Sequence, residues 1–354
     1  MMDFGTNKIL VSGANGWLGK NLIQCLVNGV KNSRDIDKPN NNLNIKCLAL
    51  DGEDTSLLQN ISENIKIIRG DITNIGSCKI FTSGSEGAIL FHCAGIIHPS
   101  KTRQFFDINV GGTKNILNAS IEGKIEKIVF VSSNSPCGVN PTNDHLFDEN
   151  YRYNPYMKYG RSKMEMENII NENYKKGKMK TVIIRPPWFY GPNQPERQTK
   201  FYRMIRDGRV PVVGNGENKR SMACTINIAQ GLIRAAMNDK ATGETYWIAD
   251  SKPYSFNYII KTIRQVMEEE FNIPCIDAEI KLPSLISSFA YLLDYGFQSL
   301  GLYNKEIHVL SEMNKTIACS IKKAENELGY LPTFDLYQGT KLSIQSALSE
   351  LLSS

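Results

Sequence analysis

At 354 residues, 41 % hydrophobic and 22 % charged, the chain is long and apolar enough to bury a sizeable core, which excludes a disordered or fibrous polymer. A net charge of +5 is too mild to mark a nucleic-acid binder, and the densest basic run, Lys175, Lys176, Lys178 and Lys180, reads as a solvated helix end. Eight cysteines without a C-x-x-C pair are expected as reduced, buried thiols of a cytoplasmic protein, and no metal site is expected.

In chain order, Met1 to Thr6 lacks the basic and apolar regions of a signal peptide. Ile9–Ser12 is a short apolar run, glycines follow at Gly13, Gly16 and Gly19, and helical spacing resumes with Leu18, Leu22 and Leu26. Strand, tight turn and helix in this order suit the phosphates of a dinucleotide, because glycines let the main chain approach and the helix start presents unpaired N–H groups. Asn28–Asn44, rich in Asn, Asp, Lys and Ser, reads as a surface loop insertion. Asp51 ends the next run, Ile45–Leu50, with no Arg or Lys close behind it. A carboxylate there accepts hydrogen bonds from adenosine ribose hydroxyls and repels an added phosphate, which favours NAD over NADP; the alternative is an ordinary loop aspartate. Gly70-Asp71-Ile72 follows the run Ile65–Arg69, where a side chain can meet an adenine edge. With Ala88–Cys93, Ile125–Val131 and Thr181–Arg185, these runs alternate with helix-like segments, which predicts an α/β fold with a parallel sheet covered by helices on both faces.

Gly13/Gly16/Gly19, Asp71-Ile72, His92-Cys93-Ala94-Gly95, Asn109-Val110-Gly111-Gly112-Thr113, Ser132-Ser133 and Pro155-x3-Tyr159-Gly-x-Ser-Lys163 stand in the order and spacing of the extended short-chain dehydrogenases/reductases, which the chain resembles from residue 8 to about 250. The resemblance implies a doubly wound parallel Rossmann sheet and a smaller mixed C-terminal substrate-binding portion. It implies an NAD-binding domain over residues 1–185, its sheet rejoined by about 219–250, and an interleaved substrate portion over 186–354. It also implies NAD contacts at Gly13, Asn15, Gly16, Trp17, Leu18, Gly19, Asp51, Asp71, Ile72, Cys93, Ala94, Gly95, Asn109, Tyr159, Lys163 and Pro186, a small-molecule substrate, and a homodimer.

Three Y-x-x-x-K pairs occur, Tyr159/Lys163, Tyr174/Lys178 and Tyr337/Lys341, and only the first follows the Ser-Ser strand end and opens a helix. Four residues apart on a helix, Tyr159 and Lys163 project from one face. A neighbouring ammonium and a cationic nicotinamide are expected to pull the phenol down from its usual value near 10, making Tyr159 a general base. Ser133 is expected to orient the reacting oxygen, with Ser132 the runner-up and Ser135 third. Asn109 is expected to be structural or a water relay, not catalytic. Pro136-Cys137 stands where many family members carry a tyrosine before the glycine, here Gly138, and Cys137 is expected to pack rather than react.

The substrate half opens on Arg185-Pro-Pro-Trp-Phe-Tyr-Gly-Pro-Asn193. Nucleotide-sugar enzymes usually place Asn where Trp188 stands, and dehydratases place an Asp-Glu pair after the serine, where this chain has Asn134. Gly214–Asn218 and Thr225–Gly231 look closer to the 3β-hydroxysteroid and sterol-carboxylate dehydrogenases. Ser133, Trp188 and Arg220 are candidate substrate contacts, Arg220 either as a phosphate clamp or as a structural ion pair. Gly243–Asp250 reads as a strand rejoining the sheet and Ile259–Met267 as an amphipathic helix. Leu282–Tyr303 carries only Asp294 as a charge; Pro283, Gly296 and Gly301 argue against a spanning helix, and we expect a helix capping an apolar pocket, with an interfacial helix as the alternative. Glu325–Tyr330 and a helix from Leu336 are expected to finish the chain against the core. The activity this implies is NAD-dependent oxidation or reduction at a secondary alcohol or ketone of a sterol-like or other apolar substrate. The alternatives are a nucleotide-sugar 4-epimerase using the same residues, and a cofactor-sensing protein without turnover.

Overall fold

The six apolar runs form six strands: β1 (Lys8–Ser12), β2 (Asn44–Ala49), β3 (Ile65–Arg69), β4 (Ile89–His92), β5 (Lys127–Val131) and β6 (Lys180–Arg185). Past β6 the strands are short: β7 (Trp188–Tyr190), β8 (Pro211–Val213), β9 (Lys219–Arg220), β10 (Met222–Cys224), β11 (Thr245–Trp247), β12 (Tyr254–Ser255) and β13 (Ile280–Leu282). The computed structural model describes residues 2–352. Its central sheet has the order β11-β6-β5-β4-β1-β2-β3, with every neighbouring pair parallel. Of the stretch 219–250, only β11 enters this sheet; β10 pairs with β7 and β9 with β12 in separate two-stranded ribbons, which narrows the expected rejoining segment.

The helices are α1 (Trp17–Asn28), α2 (Ser56–Gln59), α3 (Ile75–Thr82), α4 (Thr113–Glu122, preceded by a π-helical stretch Phe105–Gly112), α5 (Met157–Lys175), α6 (Glu196–Arg206), α7 (Thr225–Met237), α8 (Phe256–Phe271), α9 (Leu285–Ser299), α10 (Lys305–Glu312), α11 (Lys322–Leu328), α12 (Leu336–Ser346) and α13 (Leu348–Leu352). Alternate strand residues feed two cores, as a parallel sheet buried on both faces requires. Ile9, Val11, Phe91 and Val129 pack with Leu22 of α1 and Leu232 of α7, whereas Leu10, Leu90, Ile128 and Phe130 pack with Phe81, Leu117 and Met166 of α3, α4 and α5. A third cluster, including Tyr202, Met222, Ile263 and Phe334, holds the substrate portion together.

Two expectations need correction. The insertion 28–44 is not purely a surface loop, because Val30, Ile36 and Leu43 are buried in the core beside α1. Helix α9 does not lay its apolar side over a pocket: its inward face is Ser287, Ala290, Asp294 and Gln298, and its large apolar side chains point outward. The polar groups take the inside because partners wait there; Asp294 accepts hydrogen bonds from His308 Nδ1 (2.7 Å) and Gln298 Nε2 (2.9 Å), and the Ser287 hydroxyl reaches the Ser311 carbonyl (2.8 Å).

Candidate active site

The β1–α1 turn is shaped by backbone contact. Gly13 sits at φ +68°, and a Cβ there would lie 2.6 Å from the Ala94 nitrogen at the end of β4. A Cβ on Gly19 would lie 2.2 Å from the Gly13 carbonyl, so helix and turn touch directly. Helix α1 begins after Gly16 with no side-chain cap, leaving the N–H groups of its first turn, at Trp17, Leu18 and Gly19, without side-chain acceptors. Asn15 Oδ1 is buried beside them without a partner. Open donors and close backbone approach fit a dinucleotide diphosphate, whose oxygens accept from N–H groups. Leu18 is buried, and the Trp17 indole donates to the Pro192 carbonyl (2.7 Å), so both offer the turn only main-chain atoms.

Along the sheet's C-terminal edge, Asp51 is exposed in the loop after β2. That loop is held by Arg69 from the end of β3, whose Nη1 donates to the Leu50 and Glu53 carbonyls (2.9 Å each) and whose Nη2 donates to Thr55 Oγ1 (2.9 Å). Arg69 is a basic group that residue order had hidden from Asp51, yet these donors are committed to the loop. Asp71 accepts the Thr73 N–H (2.8 Å); Ile72 is buried against Gly112, and its carbonyl accepts from Asn115 (2.9 Å). Cys93 hydrogen-bonds the Ser12 carbonyl through its N–H (3.0 Å), and burial pushes its thiol up to about 12. Asn109, fully enclosed, clamps Ile96 through both main-chain groups (2.9 and 3.2 Å) and reaches Ser162 Oγ (3.1 Å), a structural role.

Tyr159, Lys163 and Glu167 form one stripe of α5 at four-residue spacing. Lys163 Nζ donates to the Val131 carbonyl (3.0 Å), and it lies 3.4 Å from where a Cβ of Gly95 would be, which places the ammonium beside the segment 93–95. Burial lowers Lys163 to about 8, against the upward pull of Glu167 and Cys93. The expected depression of the phenol is absent from the protein alone: burial raises Tyr159 to about 12, opposed by the Ser133 hydroxyl and by Arg197, and reinforced by Glu312. Desolvation outweighs those favourable contacts, and Lys163 spends a hydrogen bond on Val131 rather than on the phenol. Ser132 is committed to Glu167 Oε1 (2.5 Å), whereas Ser133 faces the phenol and contacts Ser135 Oγ (3.3 Å). Cys137 is buried and its thiol is pushed up to about 11, as a packing residue.

Glu167 is a residue that motif reading passed over. Its carboxylate receives Arg185 Nη2 (2.6 Å) and Nε (3.0 Å), Ser132 Oγ and the Tyr153 hydroxyl (2.8 Å), tying the ends of β5 and β6 to α5 behind the lysine. Arg197, on the first turn of α6, was also missed; its guanidinium stands 5.9 Å from the Trp17 ring centroid and acts electrostatically on Tyr159 and His98. No ion pair holds it among the described residues, so a cation is left facing the cleft. The wall opposite is aromatic: Phe105 packs on Tyr159 (5.7 Å between centroids) and on Tyr303 (5.4 Å), and Tyr303 binds His98 Nδ1 (2.7 Å). Trp188 stacks with Phe256 (6.4 Å), packs at a tilt against Phe201 (5.6 Å) and lies under Arg220 (5.9 Å), whose guanidinium donates to the Glu312 carbonyl and whose Nε is buried without a partner. Pro186 is buried at the end of β6.

A parallel sheet with a glycine turn at β1 and a Ser-Tyr-Lys group at β5–α5 defines an enzyme of the extended short-chain dehydrogenase/reductase class. The chain belongs to the 3-beta hydroxysteroid dehydrogenase/isomerase family, whose sequence pattern residues 10–273 match. An uncharacterised protein of Sinorhizobium fredii is 42 % identical over 95 % of this chain and 94 % of its own. An N-acetyl-alpha-D-glucosaminyl-diphospho-ditrans,octacis-undecaprenol 4-epimerase of Escherichia coli O157:H7 is 24 % identical over 96 % of this chain and 95 % of its own. Among solved structures, a UDP-glucose 4-epimerase of Thermotoga maritima superposes with a TM-score of 0.75 at 18 % identity, covering 97 % of this chain and 99 % of that one, a likeness of fold.

Proposed function

We propose that the protein is an NAD-dependent oxidoreductase acting at a secondary alcohol or ketone of an apolar substrate. The observation that carries this reading is the convergence of Ser133, Tyr159 and Lys163 beside the glycine turn and the 93–95 segment. NAD, when bound, supplies a nicotinamide ring that takes or returns a hydride. In the oxidation direction Tyr159 Oη receives the hydroxyl proton of the substrate. Ser133 Oγ donates to the reacting oxygen and holds it against the phenol. Lys163, with Glu167 behind it, keeps positive charge at the nicotinamide ribose and favours the phenolate. Asp51 takes the adenosine ribose hydroxyls; Arg69, already engaged by its own loop, is not offered to a further phosphate. The aromatic wall of Phe105 and Tyr303 suits an apolar body, and Asn134 after Ser133 leaves out the acid and base of a dehydratase.

A 4-epimerase of a sugar diphosphate is the second reading. Arg197, an exposed cation in the cleft, favours it, together with the full-length likeness to an epimerase of a polyprenyl-linked sugar. An epimerase regenerates its cofactor each cycle and tends to retain it, whereas a dehydrogenase must exchange it. Native mass spectrometry before and after dialysis separates the two: an empty site refilled by added NAD, with NADH formed from apolar secondary alcohols, supports the dehydrogenase, and retained NAD supports the epimerase. Full turnover in Tyr159→Phe refutes both.

A further inference from the structure

Helix α9 is amphipathic in the inverted sense. Leu285, Phe289, Leu292, Leu293 and Leu300 point outward, 78, 64, 66, 41 and 79 % exposed, at a spacing that keeps them on one face and its C-terminal continuation. Turning the helix to bury them would strand Ser287, Asp294 and Gln298, whose partners His308, Ser311 and the Lys158 N–H (3.0 Å from Gln298 Oε1) are all fixed on the inside. The apolar face is therefore held outward by the polar one. A patch of this size and orientation marks a docking surface.

Charge selects its occupant. Asp294, the helix's one charged residue, is enclosed, and in residues 280–311 Glu306 is the only exposed acid. Lys281 precedes the helix, Lys101 bridges Leu302 beyond its end, and Lys158 adjoins Gln298; none of the three is ion-paired among the described residues. A second copy placed on a two-fold axis would bring like charges together. An anionic lipid surface complements the lysines while accepting leucine and phenylalanine at the acyl boundary. At fifteen residues the helix is about 22 Å long, too short to cross a bilayer but suited to lying in its interface.

We propose that the outward face of α9, with Lys101, Lys158 and Lys281, docks the protein onto anionic membranes. The face adjoins the catalytic cleft: Tyr291 packs on Tyr156 (5.7 Å), three residues before Tyr159, and Tyr303 packs on Phe105. Docking thus sets the mouth of the site at the lipid interface, the source of an apolar substrate. The inference rests on the helix and its charges, not on the chemistry assigned to the site.

The test is co-sedimentation with vesicles of phosphatidylcholine alone and with about 30 % phosphatidylglycerol. Wild type is expected to pellet with the anionic vesicles and to be released in part by about 0.5 M salt. Phe289→Asp with Leu292→Asp lowers the partition coefficient about tenfold or more, as does Lys101→Glu with Lys281→Glu, while thermal melts stay those of wild type. Should the aspartate pair unfold the protein, the lysine reversals decide the matter. Protein that stays in the supernatant with every vesicle, or pellets equally in all variants, overturns the proposal. Light scattering that shows a dimer lost on Phe289→Asp assigns the face to a second copy and also overturns it. NAD binding and turnover of a soluble secondary alcohol, measured alongside, show whether the site's chemistry stands independently.

Discussion

Replacing Glu167 by Gln tests the support behind Lys163. The substitution keeps the volume but removes the charge that receives Arg185, whose side chain is 4 % exposed. Arg185 would remain buried and unpaired, and Ser132 and Tyr153 would share a weaker acceptor. Breaking a buried pair from one side costs about 3–5 kcal/mol. With an unfolding entropy of about 2.1 cal/mol/K per residue over 354 residues, roughly 0.7 kcal/mol/K in all, Tm should fall by about 4–7 °C. Circular dichroism melts of wild type, Glu167→Gln, Arg185→Met and the double variant form a complete cycle. The double variant should recover part of the loss, because it leaves no orphaned charge. A Tm for Glu167→Gln within about 1 °C of wild type, or strictly additive losses, refutes the network. The same variant should lower the Lys163 pKa further, since Glu167 is among the groups holding it up.

Tyr159→Phe should reduce kcat about 10²–10⁴-fold while NAD affinity, read by titration calorimetry, changes little; an unchanged kcat removes the proton-transfer role. Lys163 titrates near 8, so NAD affinity should weaken above that pH, and earlier in Glu167→Gln; a flat profile from pH 6 to 10 argues against a charged lysine at the ribose. Because this folded value lies below that of the unfolded chain, Lys163 itself makes stability rise with pH between about 8 and 10.5. Gly19→Ala places a methyl against two main-chain carbonyls and should weaken NAD binding at least about tenfold; normal binding shows the turn to be looser than described. Burial lowers His308, but its hydrogen bond to Asp294 and the nearby Glu312 charge outweigh this and raise it overall. Its contribution is therefore complete below about pH 6.5 and lost as pH rises through the raised folded value. Urea midpoints should show this dependence in wild type and not in Asp294→Asn.

Much of the frame was legible because it rests on local rules. Continuous apolar runs mark strands buried on both sides, glycines at Gly13 and Gly19 stand where no Cβ fits, and four-residue spacing aligns Tyr159 with Lys163. Context also separated Tyr159/Lys163 from the two other pairs of the same spacing. Residues joined only by folding were not legible. Glu167 looked like any polar residue on a helix until β6 brought Arg185 to it, 18 positions away, and Arg197 until α6 turned it toward Tyr159, 38 positions away. The phenol's rise to about 12 is of the same kind, since desolvation depends on everything packed around the group.

Sequence by itself determined the parallel sheet, the glycine turn and the grouping of Tyr159 with Lys163, because spacing along a strand or helix sets which side chains share a face. It also showed that Leu282–Tyr303 was unusually apolar. Only the tertiary structure decided which way that helix faces. The decision lay with Asp294, Gln298 and Ser287, whose partners come from α10, the turn after it and the start of α5, and buried polar groups must be satisfied before apolar ones are covered.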